Sequence, residues 1–177
     1  MVKKLLRFFA YFAFFILALI YFAPKESIYY LLEHELKTYS VVISDETLQD
    51  KGLTLSIQNA ALYVKSIESA KIKNCDVTLL LLYNSLNASD ITLSESLKSF
   101  VPLKIESLVF TQSIFDPLHL HIHALGAFGE AKGSVNLLER TIHIDFTASE
   151  LMQKEYKNAL REFTKSQEGG LVYDKAF

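Results

Sequence analysis

From Leu5 to Ala23 the sequence reads LLRFFAYFAFFILALIYFA, and this stretch sets the terms for everything that follows it. Its nineteen residues at helical rise extend roughly 28 Å, about the hydrocarbon thickness of a bilayer. Arg7 lies near the start, where its stem can snorkel to the headgroups, so the unbroken apolar run is Phe8–Ala23. That run is longer than a signal-peptide core, and no Ala-x-Ala site follows it. Tyr21 and Phe22 close it as an interfacial aromatic belt. The expectation is an uncleaved anchor, with a cleaved signal peptide and a soluble apolar helix as the alternatives. Its lipid-facing side chains are Leu5, Phe8, Phe9, Phe12, Phe14, Phe15, Ile16, Leu17, Leu19, Ile20, Tyr21 and Phe22.

Charge orients the segment. Lys3, Lys4 and Arg7 precede it, and Lys25 behind it is offset by Glu26, so the N-terminus is expected in the cytoplasm. Residues 1–23 then form a tail and anchor, and 24–177 one exported domain, periplasmic if the anchor sits in a bacterial inner membrane. Of the 18 basic and 20 acidic residues in the chain, three basic and no acidic ones fall within the anchor, so the body is net acidic. That excludes nucleic acid as a partner, since phosphate binding requires clustered Lys and Arg. Cys75 is the only cysteine, so no internal disulfide can form, and the body must be held by core burial.

Beyond the anchor, Ile28, Leu31, Leu32, Leu36 and Tyr39 recur at helical spacing and predict an amphipathic helix from Pro24 to Tyr39. From Val41 the period changes to two. Leu53–Ile57, Ala60–Val64, Ile91–Leu93, Leu103–Ile105, Leu118–His123 and Ile142–Phe146 alternate, as antiparallel strands with one wet face do. Val77–Tyr83 is apolar throughout and predicts a central strand buried on both sides. Asp50-Lys51-Gly52, Asn84–Asp90, Asp116-Pro117 and Lys132-Gly133 supply turn chemistry. Ala148–Phe163 returns to helical period, with Ser149 as its N-cap and Gly169-Gly170 beyond its end; Leu171–Tyr173 adds a last edge strand. The predicted fold is α+β and mostly antiparallel β: a transmembrane helix, then a curved antiparallel sheet of seven to nine strands flanked by an N-terminal and a C-terminal amphipathic helix.

Two side-chain sets are candidate sites. His119, His121 and His123 project from one strand face about 7 Å apart, and His143 with Asp145 on a later strand could complete a zinc set. The same histidines equally suit the wet face of a strand whose other face is Leu118, Leu120 and Ile122, or a pH-sensing surface. The second set is the apolar sheet face: Leu53, Leu55, Ile57, Leu118, Leu120, Ile122, Ile142, Ile144 and Phe146. A sheet folded on itself makes these a closed core; a sheet wrapped around them makes a groove for acyl chains. Both require the same inward residues. No catalytic motif is present: the glycines of Gly126–Gly133 have the wrong spacing for a phosphate loop, and no serine sits in a Gly-x-Ser-x-Gly elbow. No cofactor is expected.

The proline-led helix Pro24-Lys25-Glu26-Ser27-Ile28-Tyr29-Tyr30-Leu31-Leu32, the segment Gly52–Ala60 and the small-residue pair in Gly126–Leu137 resemble the AsmA-like group, nearest its small member, the type II secretion system protein N. The resemblance implies an inner-membrane protein with a periplasmic β-sheet, working in secretion or envelope lipid handling, and no catalytic residues. The expected function is a non-enzymatic accessory or scaffold, partnering the bilayer and other envelope proteins through a sheet edge. A lipid-binding carrier with an apolar groove, and a metal-binding protein using the histidine strand, are the alternatives.

Overall fold

The apolar N-terminal run forms helix α1 (Val2–Tyr21), and none of Lys3–Tyr21 is buried. It is one helix long and apolar enough to cross a membrane. The computed structural model describes residues 2–80, 82–165 and 170–177. After a turn at 22–24 comes α2 (Lys25–Thr38), with Glu26 in its first turn and Lys37 in its last, both suited to the helix dipole. Thereafter the protein is α+β with a mostly antiparallel sheet. Its strands are β1 (Val41–Ser44), β2 (Thr47–Asp50), β3 (Thr54–Val64), β4 (Ile67–Leu79), β5 (Tyr83–Leu93), β6 (Lys104–Ser113), β7 (Asp116–Gly126), β8 (Gly129–Asn136), β9 (Thr141–Ala148), β10 (Thr164–Lys165) and β11 (Leu171–Ala176).

These eleven strands make a single sheet in the order β1-β3-β4-β5-β6-β7-β8-β9-β11-β10, with β2 also on β3. From β3 to β9 it is a meander of hairpins, so each turn lies at one end of the sheet or the other. Thr54, Thr78, Ser85, Thr111, His121, Ser134, His143 and Asp174 are successive register partners across it. The turns near that row (51–53, 80–82, 114–115 and 137–140) therefore share one end. That end also receives α1: Leu53 lies beside Phe14, Leu17, Ala18, Tyr21 and Phe22, and the Tyr21 ring covers Gly52 so closely that a Cβ there would overlap it.

Several expected elements come out differently. Val77–Tyr83 is the tip of the β4–β5 hairpin and not a central strand: Val77–Leu79 end β4, Tyr83 opens β5, and the Leu80 N–H bonds to the Tyr83 carbonyl across the turn. Leu81 lies outside the described residues. Asn84–Asp90 and Lys132-Gly133 are strand, because their backbone groups pair on both sides. The C-terminal helix shortens to α3 (Glu150–Glu155), followed by a 3-10 turn at Ala159–Glu162; Ser149 does cap it, accepting from the Met152 N–H at 3.1 Å. β10 covers β11 only at Leu171 and Val172, so Tyr173–Ala176 are left as edge among the described residues. Gly169 lies outside the described residues.

One feature of the sheet controls its apolar face. In β3 the groove-facing residues are Leu55 and Ile57 but then Ala60 and Leu62; in β4 they are Ile72 but then Cys75 and Val77. β5 passes from Leu86 and Ala88 to Ile91 and Leu93, and β6 from Ile105 to Leu108. Each of four neighbouring strands thus holds one extra residue, at Gln58-Asn59, Lys73-Asn74, Ser89-Asp90 and Glu106-Ser107. Asn59 and Asp90 take positive φ (56° and 54°) there, and the β6–β7 register shifts between Ile105 and Ser107. The insertions lie in mutual register, so pairing continues while the facing of every side chain changes parity.

Two apolar clusters result. One joins Tyr29 of α2 to Leu55, Ile57, Ala60, Ala70, Cys75, Ala88 and Ile91. The other sets Met152 of α3 on Phe128 and Phe146, with Tyr156, Leu160 and Phe163 around them.

Candidate functional site

The first cluster is incomplete, and its gap is the main concavity on the apolar face. A groove of about 410 Å³ runs between α2 and the sheet, within the size range of small-molecule sites. Ile28 and Leu32 form its roof, yet they stay 44% and 54% exposed because α2 stands off the strands. Leu55, Ile57, Leu86, Leu108 and Phe110 line the floor. The floor is low because of a row of small side chains: Ile57, Cys75, Ala88, Leu108, Ala124, Ala131 and Phe146 are successive register partners, and four of them are Cys or Ala. Beyond Phe110 the apolar face continues half-covered through Leu120, Ile122, Ile142 and Ile144.

The expected apolar set therefore divides. Leu55, Ile57 and Phe146 are buried, Leu120, Ile122, Ile142 and Ile144 are half-buried, and Leu53 and Leu118 are exposed near the end where α1 arrives. Cys75 is part of the groove wall; burial, with the Asp76 charge adding to it, pushes its thiol up to about 11, so it is an inert thiol.

Polar groups on this wall are few. The Tyr29 hydroxyl is buried, and burial together with the Glu46 carboxylate pushes its pKa well above the ordinary tyrosine value. It makes no hydrogen bond among the described residues. Removing it by Tyr29→Phe is expected to leave stability unchanged or raise it by up to about 1 kcal/mol, as a thermal melt of the full chain will read.

Lys25 lines the groove at the α1 end. Its side chain is buried (2% exposed), and Nζ donates to the carbonyls of Ile20, Tyr21 and Ala23 at 3.2, 3.2 and 3.3 Å. The Asp50 carboxylate lies 3.5 Å away, and its Oδ1 also accepts the Gly52 N–H at 2.8 Å. Lys25 is thus neutralised by Asp50 and not, as its neighbourhood in the chain suggests, by Glu26. It satisfies the last carbonyls of α1 and ties them to the β2–β3 turn.

The histidines occupy the opposite face of the sheet, each against a carboxylate. His119 Nδ1 lies 2.6 Å from Asp116 Oδ1, His121 Nε2 3.3 Å from Asp116 Oδ2, and His123 Nε2 2.8 Å from Glu130, which also binds Lys132 at 2.7 Å. Hydrogen bonds from His119 foremost hold the Asp116 carboxyl below its usual range, and from Lys132 then His123 do the same for Glu130. His143 sits apart, 2.6 Å from Asp174 and 3.3 Å from Asp145. Among the described residues no three such side chains converge as a metal site. Hydrogen bonding to Asp174 raises the His143 pKa above the ordinary 6.5. Any stability from this pair is therefore full below pH 6.5 and lost as pH rises through the raised value. In a histidine NMR titration His143 is expected to titrate above the ordinary histidine value, and Asp174→Asn to bring it back down.

A more open depression of about 570 Å³ follows the row of extra residues, lined by Asn59, Lys73, Asp90 and Glu106 among both signs of charge. Its balance of Lys and carboxylate favours neither anion nor cation. Compared with the models of protein families, with curated proteins and with solved structures, the chain matches none.

Proposed function

We propose that this protein is a non-enzymatic, single-pass membrane protein whose sheet binds the acyl chain of a lipid in the groove beneath α2. α1 is the anchor, and Lys3, Lys4 and Arg7 keep its N-terminus in the cytoplasm, which puts the sheet in the periplasm of a bacterial envelope. The observation that carries the reading is the groove: apolar on every wall, floored by Cys75 and Ala88, and left open by a helix whose own apolar residues are half exposed. The registered extra residues in β3–β6 curve the sheet around it, as bulges do. A groove that accepts acyl chains suits lipid handling in the envelope, the role the resemblance to the AsmA-like group implies.

The expected scaffold role through a pairing sheet edge has less support. One edge is β1 and β2, two four-residue strands interrupted at Asp45, whose φ is 65°; the other is the two-residue β10 with the four residues Tyr173–Ala176 of β11 beyond it. Short and broken edges are poor templates for an added strand.

The full chain in vesicles containing a phosphatidylcholine with a photoactivatable acyl chain tests the proposal. Adducts on the β5 and β6 peptides are the expected result. Adducts confined to α1 and the hairpin turns would show that no chain enters the groove.

A further inference from the structure

Every hairpin turn at the α1 end of the sheet is capped by large exposed aliphatic or aromatic side chains: Leu53, Leu82, Ile114, Phe115, Leu137 and Leu138. Phe115 is 90% exposed and Leu138 73%. Hairpin tips in water ordinarily carry polar turn residues, as Lys65-Ser66 does at the opposite end, where large exposed apolar side chains such as Ile67 and Phe100 are scattered. Four successive tips at one end thus add large exposed apolar side chains to their turn residues, polar ones such as Lys51 and Glu139-Arg140 included, a pattern of the kind that marks an interaction surface.

The occupant is indicated by α1. Leu53, at the first of these tips, lines one apolar depression together with Phe14, Leu17, Ala18, Tyr21 and Phe22. Those residues span about 12 Å of helix, the last two turns of the apolar run, which is the depth of one leaflet when the helix crosses a bilayer. A tip that shares a depression with Leu17 and Phe14 is at acyl-chain depth. The Lys25–Asp50 lock holds this turn to the end of α1, so its depth follows from that of the helix. The remaining tips extend from it along the same end of the same sheet.

We infer that the tips carrying Leu53, Leu82, Ile114, Phe115, Leu137 and Leu138 insert into the leaflet nearest the sheet, seating the domain edge-on in the bilayer that α1 spans. The inference rests on α1 crossing a membrane and is separate from what the groove binds. It also gives the groove a route to lipid. Leu79 and Phe110 line its wall near this end, so a chain could pass from leaflet to groove with little exposure to water.

The test uses the full chain with Cys75→Ala and one new cysteine at a time: Phe115→Cys, Leu138→Cys, Lys98→Cys at the opposite end, and Phe12→Cys in α1. Each carries an environment-sensitive fluorophore and is reconstituted in phosphatidylcholine vesicles with or without acyl-chain spin-labelled lipid. The expected result is a blue-shifted emission, quenched by the spin label, at Phe115, Leu138 and Phe12, and neither change at Lys98. Quenching at Phe12 with tips that behave like Lys98 overturns the inference and leaves the anchor. Absence of quenching at all four overturns both. Tips shielded from aqueous iodide yet untouched by the lipid quencher indicate a second copy or another protein on this edge, and also overturn it.

Discussion

Replacing Lys25 by methionine is expected to lower the unfolding free energy by about 2–3 kcal/mol and to release α1 from the sheet. The size follows from what is left behind. Of the three carbonyls that lose Nζ, Ala23 O still accepts the Lys25 N–H at 2.9 Å and Ile20 O the Ala23 N–H at 3.4 Å, so the Tyr21 carbonyl loses its donor, and an orphaned acceptor costs about 1–3 kcal/mol. Asp50 is one-third exposed and rehydrates, so its loss of partner adds less than a fully buried pair would. Asp50→Asn does the reverse: the ammonium stays buried with its carbonyls but without countercharge. Because the two residues act on each other, the double variant should cost less than the sum of the singles. Thermal unfolding reads the stability term, at about 2–4 °C per kcal/mol for a chain of this size. Distance measurements between spin labels at residues 12 and 51 read the release as a broadened distribution. Unchanged distances in Lys25→Met would mean that the Tyr21 ring on Gly52 suffices to hold the joint.

The elements that sequence periodicity captured are those in which one pattern runs unbroken. α1, α2 and the alternating strands around His121 and Ile144 are of this kind, and so is the Ser149 cap. β4 escaped notice because Ile67–Asp76 places its apolar residues at Ala70, Ile72 and Cys75, small or out of step, among lysines and asparagine. The extra residues explain that and more. Ile57 to Ala60, Ile72 to Cys75, Ala88 to Ile91 and Ile105 to Leu108 are each three apart where strict alternation allows two. Each gap holds a pair of polar residues, and its recurrence in four strands was the available signal. Val77–Tyr83 misled for another reason: its residues are apolar because they cap a hairpin at the α1 end, not because they cross a core. The C-terminal stripe was right about facing and wrong about shape, since a one-turn helix and a 3-10 turn present Met152, Tyr156, Leu160 and Phe163 to the same cluster. The partners of Lys25 could not be read from its neighbours in the chain. They are backbone carbonyls and a residue 25 positions on, and no local pattern encodes them.

The same small-residue row yields the other large effect. Ala88→Phe is expected to empty the groove of lipid while the sheet persists. Ala88 sits on the floor between Cys75 and Leu108, buried under the gap that α2 leaves. A phenyl ring there would take up space that an acyl chain would otherwise fill. Each methylene excluded from burial forfeits about 0.8 kcal/mol, so displacing four or five weakens binding by about 3–4 kcal/mol, several hundredfold. In the photolabelling experiment the β5 and β6 adducts should fall to background, with those on α1 unchanged. Overpacking costs about 1–3 kcal/mol when a core is full, whereas here the added ring meets a void and part of that cost is offset by new contacts. The thermal midpoint is therefore expected to change little, and Ala88→Leu gives a milder step in the same direction. A closed core and an occupied groove separate on this point. If Ala88→Phe unfolds the domain and Ala88→Leu lowers its midpoint without altering the adducts, the space beneath α2 is packing slack in a core; if both keep the fold and shed the lipid in order of size, it is a binding site.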